Sequence, residues 1–219
     1  MTVYIAFPVS EKLDAAQQAL SAAVASNPQA LHQVQIDQLS EAFITEVLNA
    51  FFDQPIQTLR IRGNMASIMN SVVSIIGKAS RALVGRVFKK ISLDEQTQLT
   101  RHFEQMHLVH EGQTFCGFAL SAEQAATVTG MFAAAREERV EGKQMADAML
   151  IIVEGAISHF FDQTVAKVKL GMINRGLVAT SRATIHTAAA SAVNRNLPTL
   201  EAKLRKPLMG YFETLVIEA

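Results

Sequence analysis

The sequence predicts a mainly α fold with a small antiparallel β-sheet (α+β). It reads as a tandem duplication of a strand–four-helix–strand unit related by pseudo-twofold symmetry. Three observations lead there. Phe51-Phe52-Asp53-Gln54 recurs as Phe160-Phe161-Asp162-Gln163, 109 positions later in a chain of 219. The same offset pairs Arg86 with Arg195, Leu99 with Leu208, Phe103 with Phe212 and Glu104 with Glu213, and joins conservative pairs such as Ile44 with Val153 and Ile76 with Ile185. Apolar residues recur every three to four positions through most of the chain, the period of a helix with one buried face. The repeats are residues 1–109 and 110–219, expected to pack together as one pseudo-symmetric domain.

Taken in order, residues 3–9 alternate in the manner of a short strand. Ser10 is placed to cap a helix from Glu11 to about Ala25, with Glu11 and Asp14 in its first turn, and Asn27-Pro28 ends it. A long helix over about 36–52 follows, its stripe formed by Ile36, Leu39, Phe43, Val47 and Phe51. Pro55 is expected to kink or restart it, with Asp53 as the cap. Gly63 marks a turn before a helix over about 65–88. Ser92-Leu93-Asp94-Glu95 is a capping box for a helix reaching Gln105. Residues 106–120 read as a hairpin turning at Glu111-Gly112. The second half repeats this order: Ser121 opens a helix to about Glu138, and a long helix spans about 143–168, straighter because Thr164 stands where Pro55 does. A Gly-, Ala- and Thr-rich helix follows over about 172–194, then a last helix from near Thr199 and a strand over 214–218. The hairpin and the two terminal strands are expected to share one sheet, since two-stranded ribbons alone are marginal.

Composition narrows the function classes. Hydrophobic residues make up 49% and charged residues 18%, which excludes a disordered chain. Trp is absent, and the single cysteine, Cys116, excludes an internal disulfide and with it a disulfide scaffold. The N-terminal residues lack the basic stretch of a signal peptide, and no apolar run reaches the ~18 residues of a membrane span. The expected location is cytoplasmic.

Charge is distributed unevenly. Net charge is zero, yet Asp53 to Asp94 encloses Arg60, Arg62, Lys78, Arg81, Arg86, Lys89 and Lys90 with no acid between. Asp162 to Glu201 encloses Lys167, Lys169, Arg175, Arg182 and Arg195, again with no acid. Such segments either meet an anionic partner or pair with acidic helices of the same chain. Asp53, Arg60 and Arg86 recur as Asp162, Lys169 and Arg195, a pattern read as helix-to-helix ion pairing. The phenylalanine pairs, at helical spacing, are read as core.

No catalytic, metal or cofactor motif is present: no phosphate loop, nucleophile elbow, zinc-protease helix or dinucleotide fingerprint. His102, His107, His110 and Cys116 match no zinc spacing, and Cys116 reads as a buried, inert thiol on a strand. The expected function is non-enzymatic: an adaptor or regulatory protein presenting basic helices to an anionic protein surface or nucleic acid. Its contact residues would be Arg60, Arg62, Lys78, Arg81, Arg86, Lys89, Lys90, Lys169, Arg182 and Arg195. The alternative is a small-molecule binder or enzyme with a pocket between the repeats, where Arg86 and Arg195 anchor an anionic ligand. A structural homo-oligomer is the third reading.

Overall fold

The computed structural model describes residues 2–59 and 63–219. The chain's two ends and its midpoint supply one four-stranded antiparallel sheet. Strand β1 (Val3–Pro8) lies between β3 (Gln113–Ala119) and β4 (Val216–Glu218), and β2 (His107–His110) extends the sheet beyond β3. Phe7 stands opposite Cys116, and Tyr4 stands opposite both Ala119 and Ile217. The hairpin between β2 and β3 turns at Glu111 and Gly112, whose φ values of 50° and 79° suit a tight two-residue hairpin turn. The shared sheet is thus as the sequence leads one to expect.

Helix α1 (Glu11–Ser26) begins at Ser10, whose Oγ accepts from the Leu13 N–H at 3.2 Å. Helix α2 (Gln33–Leu48) passes directly into a π-helical turn at Asn49–Asp53 and then α3 (Gln54–Thr58). Helix α4 (Gly63–Val87) ends in a 3-10 turn at Phe88–Lys90, and α5 (Leu93–Gln105) carries the full Ser92–Glu95 capping box. After the hairpin come α6 (Ala122–Arg136), α7 (Gly142–Ala156), a second π-helical turn at Ile157–Asp162, and α8 (Gln163–Val165). The last helices are α9 (Met172–Asn196) and α10 (Ala202–Glu213).

One expectation about the long helices is corrected. Asp53 makes no side-chain cap, and the chain stays helical through it because the π turn absorbs one extra residue before Pro55. With Thr164 in place of Pro55, the same kind of turn still forms in the C-terminal half, over Ile157–Asp162. A proline is therefore not its cause. In both turns an N–H reaches back five residues, Gln54 to the Asn49 carbonyl and Gln163 to the Ser158 carbonyl.

One core joins the sheet to both halves. Ile5 and Phe7 from β1, Cys116 and Phe118 from β3, and Met131, Phe132 and Met145 from α6 and α7 are all buried within it. The long helices α4 and α9 pack on each other, and a second apolar cluster sits there, with Leu48, Val72, Ile76, Ile157, Ile185 and Ala189 at its centre.

A candidate apolar binding cavity

The repeated Phe-Phe-Asp segments coincide with the two π turns, and this determines where their rings point. In an α-helix consecutive residues diverge by about 100°. The wider turn shifts the register, so that Phe51 and Phe52 both reach a common space, as do Phe160 and Phe161. That space is a cavity of about 200 Å³. Helix α2 contributes Phe43, Ile44 and Val47; α4 contributes Met69, Ile76, Leu83 and Val84; α7 contributes Met149, Ile152 and Val153; α9 contributes Ile185, Ala189, Ala192 and Val193. Phe103 of α5 and Leu208 and Phe212 of α10 complete the wall. The phenylalanine pairs are therefore only in part the core expected of them. Phe160 is buried, while Phe51, Phe52 and Phe161 keep surface that faces this space.

Thirteen pairs of wall residues are separated by 109 positions, among them Phe43 with Ile152, Val47 with Ala156, Ser80 with Ala189 and Phe103 with Phe212. Those pairs account for 26 of the 32 residues that line the cavity. Most of the wall is thus built from residues 109 positions apart.

Among the described residues the wall carries no ionisable side chain, and its polar members are Ser40, Ser80, Thr164 and Asn196. Asn196 donates to the Ala192 carbonyl at 2.7 Å. Ser40 is 2% exposed, and its Oγ has no hydrogen-bond partner among the described residues, an arrangement that costs free energy in an apolar setting. Thr164 Oγ1 lies 3.0 Å from Nε2 of buried His102. Burial first, then the positive charge of Lys167 and the proximity of His159, push the His102 imidazole down to about 4, so it is neutral at ordinary pH. Tyr211 donates to the carbonyl of Ala50 in the first π turn at 2.6 Å, and burial pushes its phenol up to about 12. His159, in the second turn, stacks on Phe118 with centroids 5.0 Å apart.

The sequence-predicted contact residues lie elsewhere. Arg60 and Arg62 fall outside the described residues. Lys78, Arg81 and Arg86 stand exposed on α4, Lys89 and Lys90 on the 3-10 turn after it, and Lys169 between α8 and α9. Arg81 grips the Glu41 carboxylate through Nε and Nη2 at 2.8–3.0 Å, which holds Glu41 below the usual carboxylate range. Arg182 binds both oxygens of Asp162 at 2.9 and 3.0 Å and approaches Glu154 at 3.7 Å. The expected pairing of Asp162 with Lys169 or Arg195 is corrected: Arg182, one helix face away, takes that place. Asp53 makes no ion pair among the described residues, and burial raises its pKa. Arg86 and Arg195 are exposed and do not belong to the cavity wall, so the anion anchor expected of them is not part of this site.

Cys116 lies on β3, fully buried, with its thiol pushed up to about 12. It faces His107 across the sheet, and among the described residues no three His, Cys, Asp or Glu side chains gather as a metal site. No described helix is long and apolar enough to cross a membrane. The cavity was hidden from sequence reasoning because its wall consists of ordinary apolar residues; the 109-residue pairing of those residues was the available signal. The chain matches no protein-family model, and no curated protein or solved structure is significantly similar to it.

Proposed function

We propose that the protein binds one uncharged, poorly water-soluble molecule, an aliphatic chain or small ring system, in the cavity between its two halves. The observation that carries this is a space of about 200 Å³ whose wall has no ionisable group among the described residues. Apolar surface left unfilled in such a space forgoes the contacts that a fitting apolar ligand would restore. Apolar cavities of ~150 Å³ bind molecules of benzene size, so this one takes a ligand somewhat larger. A carboxylate or phosphate buried there would find no counter-charge among the described wall residues, which selects against anionic ligands. The test is titration with the neutral fluorophore N-phenyl-1-naphthylamine, competed by octanol and by octanoate. One saturable site, displaced more readily by octanol, is the expected result. A probe that fails to saturate, or octanoate as the better competitor, refutes the reading.

The 109-residue pairing of the cavity wall, the two π turns and the matching order of elements support a tandem duplication, with the cavity at the pseudo-twofold axis. On that reading residues 1–109 supply 14 of the wall residues and residues 110–219 supply 18. The reading of the basic helices as a surface for an anionic macromolecule has its own support. Lys78, Arg86, Lys89, Lys90, Lys169 and Arg195 are exposed and make no ion pair among the described residues. Binding of labelled nucleic acid with a steep negative salt slope would support it; a flat titration at low salt would remove nucleic acid as the partner. Light scattering tests the homo-oligomer.

A further inference from the structure

Met172 and Ile173, which open α9, are 88% and 74% exposed. They are the most exposed large apolar residues on the described helices, ahead of Val34 on α2 and Ile75 on α4. Along the chain on either side of them the charge has one sign. Lys167, Lys169 and Arg175 flank the pair, and the sequence has no acid between Asp162 and Glu201. None of these three bases makes an ion pair among the described residues. Arg175 folds back so that its Nε donates to the Leu170 carbonyl at 3.0 Å, which keeps its charge beside the tip. Glu95, whose carboxylate approaches this tip, is only 6% exposed; its oxygens accept from Ser92 and from the Lys169 backbone N–H. The outward face of the tip is therefore apolar at its centre and cationic at its edge.

We infer that residues 167–175 dock on an anionic lipid bilayer, with Met172 and Ile173 entering the headgroup–acyl boundary and Lys167, Lys169 and Arg175 meeting acidic headgroups. Amphipathic segments bind membranes through this combination of apolar area and flanking bases. Charge complementarity alone would equally suit nucleic acid. The two exposed apolar side chains decide for the bilayer, since a phosphate backbone offers them no apolar surface. The inference goes beyond the cavity reading and does not depend on it.

Flotation of the full chain with vesicles tests it, using phosphatidylcholine alone and phosphatidylcholine mixed with phosphatidylglycerol. Binding is expected on the mixed vesicles and little on the neutral ones. Met172→Asp with Ile173→Asp is expected to weaken binding about tenfold. Lys167→Glu with Lys169→Glu is expected to weaken it more, since each base near an anionic surface contributes roughly fivefold. The control is Lys143→Glu with Lys203→Glu, an equal change of charge near the other end of α9, where Gly142 abuts Pro198. That control should bind within about twofold of the native chain. Melting curves and probe uptake by the cavity should be unchanged in all three variants, which separates a lost surface from a lost fold or a lost cavity. Equal loss in tip and control variants would reduce the effect to net charge and overturn the inference. So would native-like flotation of the Asp pair, no binding to either vesicle, or tip-dependent binding of nucleic acid without vesicle binding.

Discussion

Ala192→Leu fills the cavity from the α9 side, and it separates a real void from a well-packed interface. Ala192 lines the cavity and is half-buried. Three added carbons, at ~0.8 kcal/mol each, give about 2.4 kcal/mol if all enter apolar space. Ordering the leucine side chain costs ~0.5–1 kcal/mol. The net expectation is stabilisation by about 1.5 kcal/mol, which for a chain of this size raises Tm by ~3–6 °C. Differential scanning calorimetry on ligand-free protein reads that shift directly. The same variant should lose the ligand response: at a ligand concentration ~100-fold above Kd, the native protein gains about 2.7 kcal/mol, and the filled protein should gain almost nothing. Ala156→Leu, the corresponding change from α7, should behave alike. A fall in Tm for both variants would mean that the interior has no spare volume, since overpacking costs ~1–3 kcal/mol. An undiminished ligand shift would place the ligand elsewhere. Either result refutes the cavity argument.

Acid should weaken the fold through His102. Its folded pKa of about 4 lies below the ordinary 6.5, so the unfolded chain takes the proton first and stability falls as pH drops from 6.5 toward 4. Urea titrations at neutral pH and near pH 5, where carboxylates are still charged, should differ by about 1 kcal/mol after allowance for solvent screening. His102→Gln should flatten part of that slope; His107, also lowered by burial, supplies the remainder. Gly142→Ala should destabilise by ~1–3 kcal/mol, because a Cβ there would lie 2.7 Å from the Pro198 backbone, which has little freedom to move. Circular dichroism melts check this, and an unchanged melt would show that the linker before α10 yields. A double-mutant cycle on Arg81 and Glu41 should give a coupling below about 1 kcal/mol, since both side chains are nearly half exposed. Cys116 should resist a maleimide in the native state and react only on unfolding, at a rate that rises with denaturant.

Local chemistry determined what the sequence determined by itself. Apolar periodicity and Ser10, Ser92 and Ser121 located helices, and Glu111-Gly112 located the hairpin, because capping and turn geometry depend on residues within a few positions of each other. The 109-residue offset was legible too, as a pattern of side-chain types. Tertiary structure decided the rest. The π turns at Phe-Phe-Asp were not legible, since one extra residue per turn leaves no mark in composition and is held by the packing of both halves. Nor was the choice of Arg182 over Lys169 or Arg195 as the partner of Asp162, which depends on how α9 lies across the second π turn. The cavity was the least legible feature. A wall residue such as Ala192 or Phe161 has the same chemistry as a core residue, and only the relative placement of α2, α4, α7 and α9 leaves a space between them.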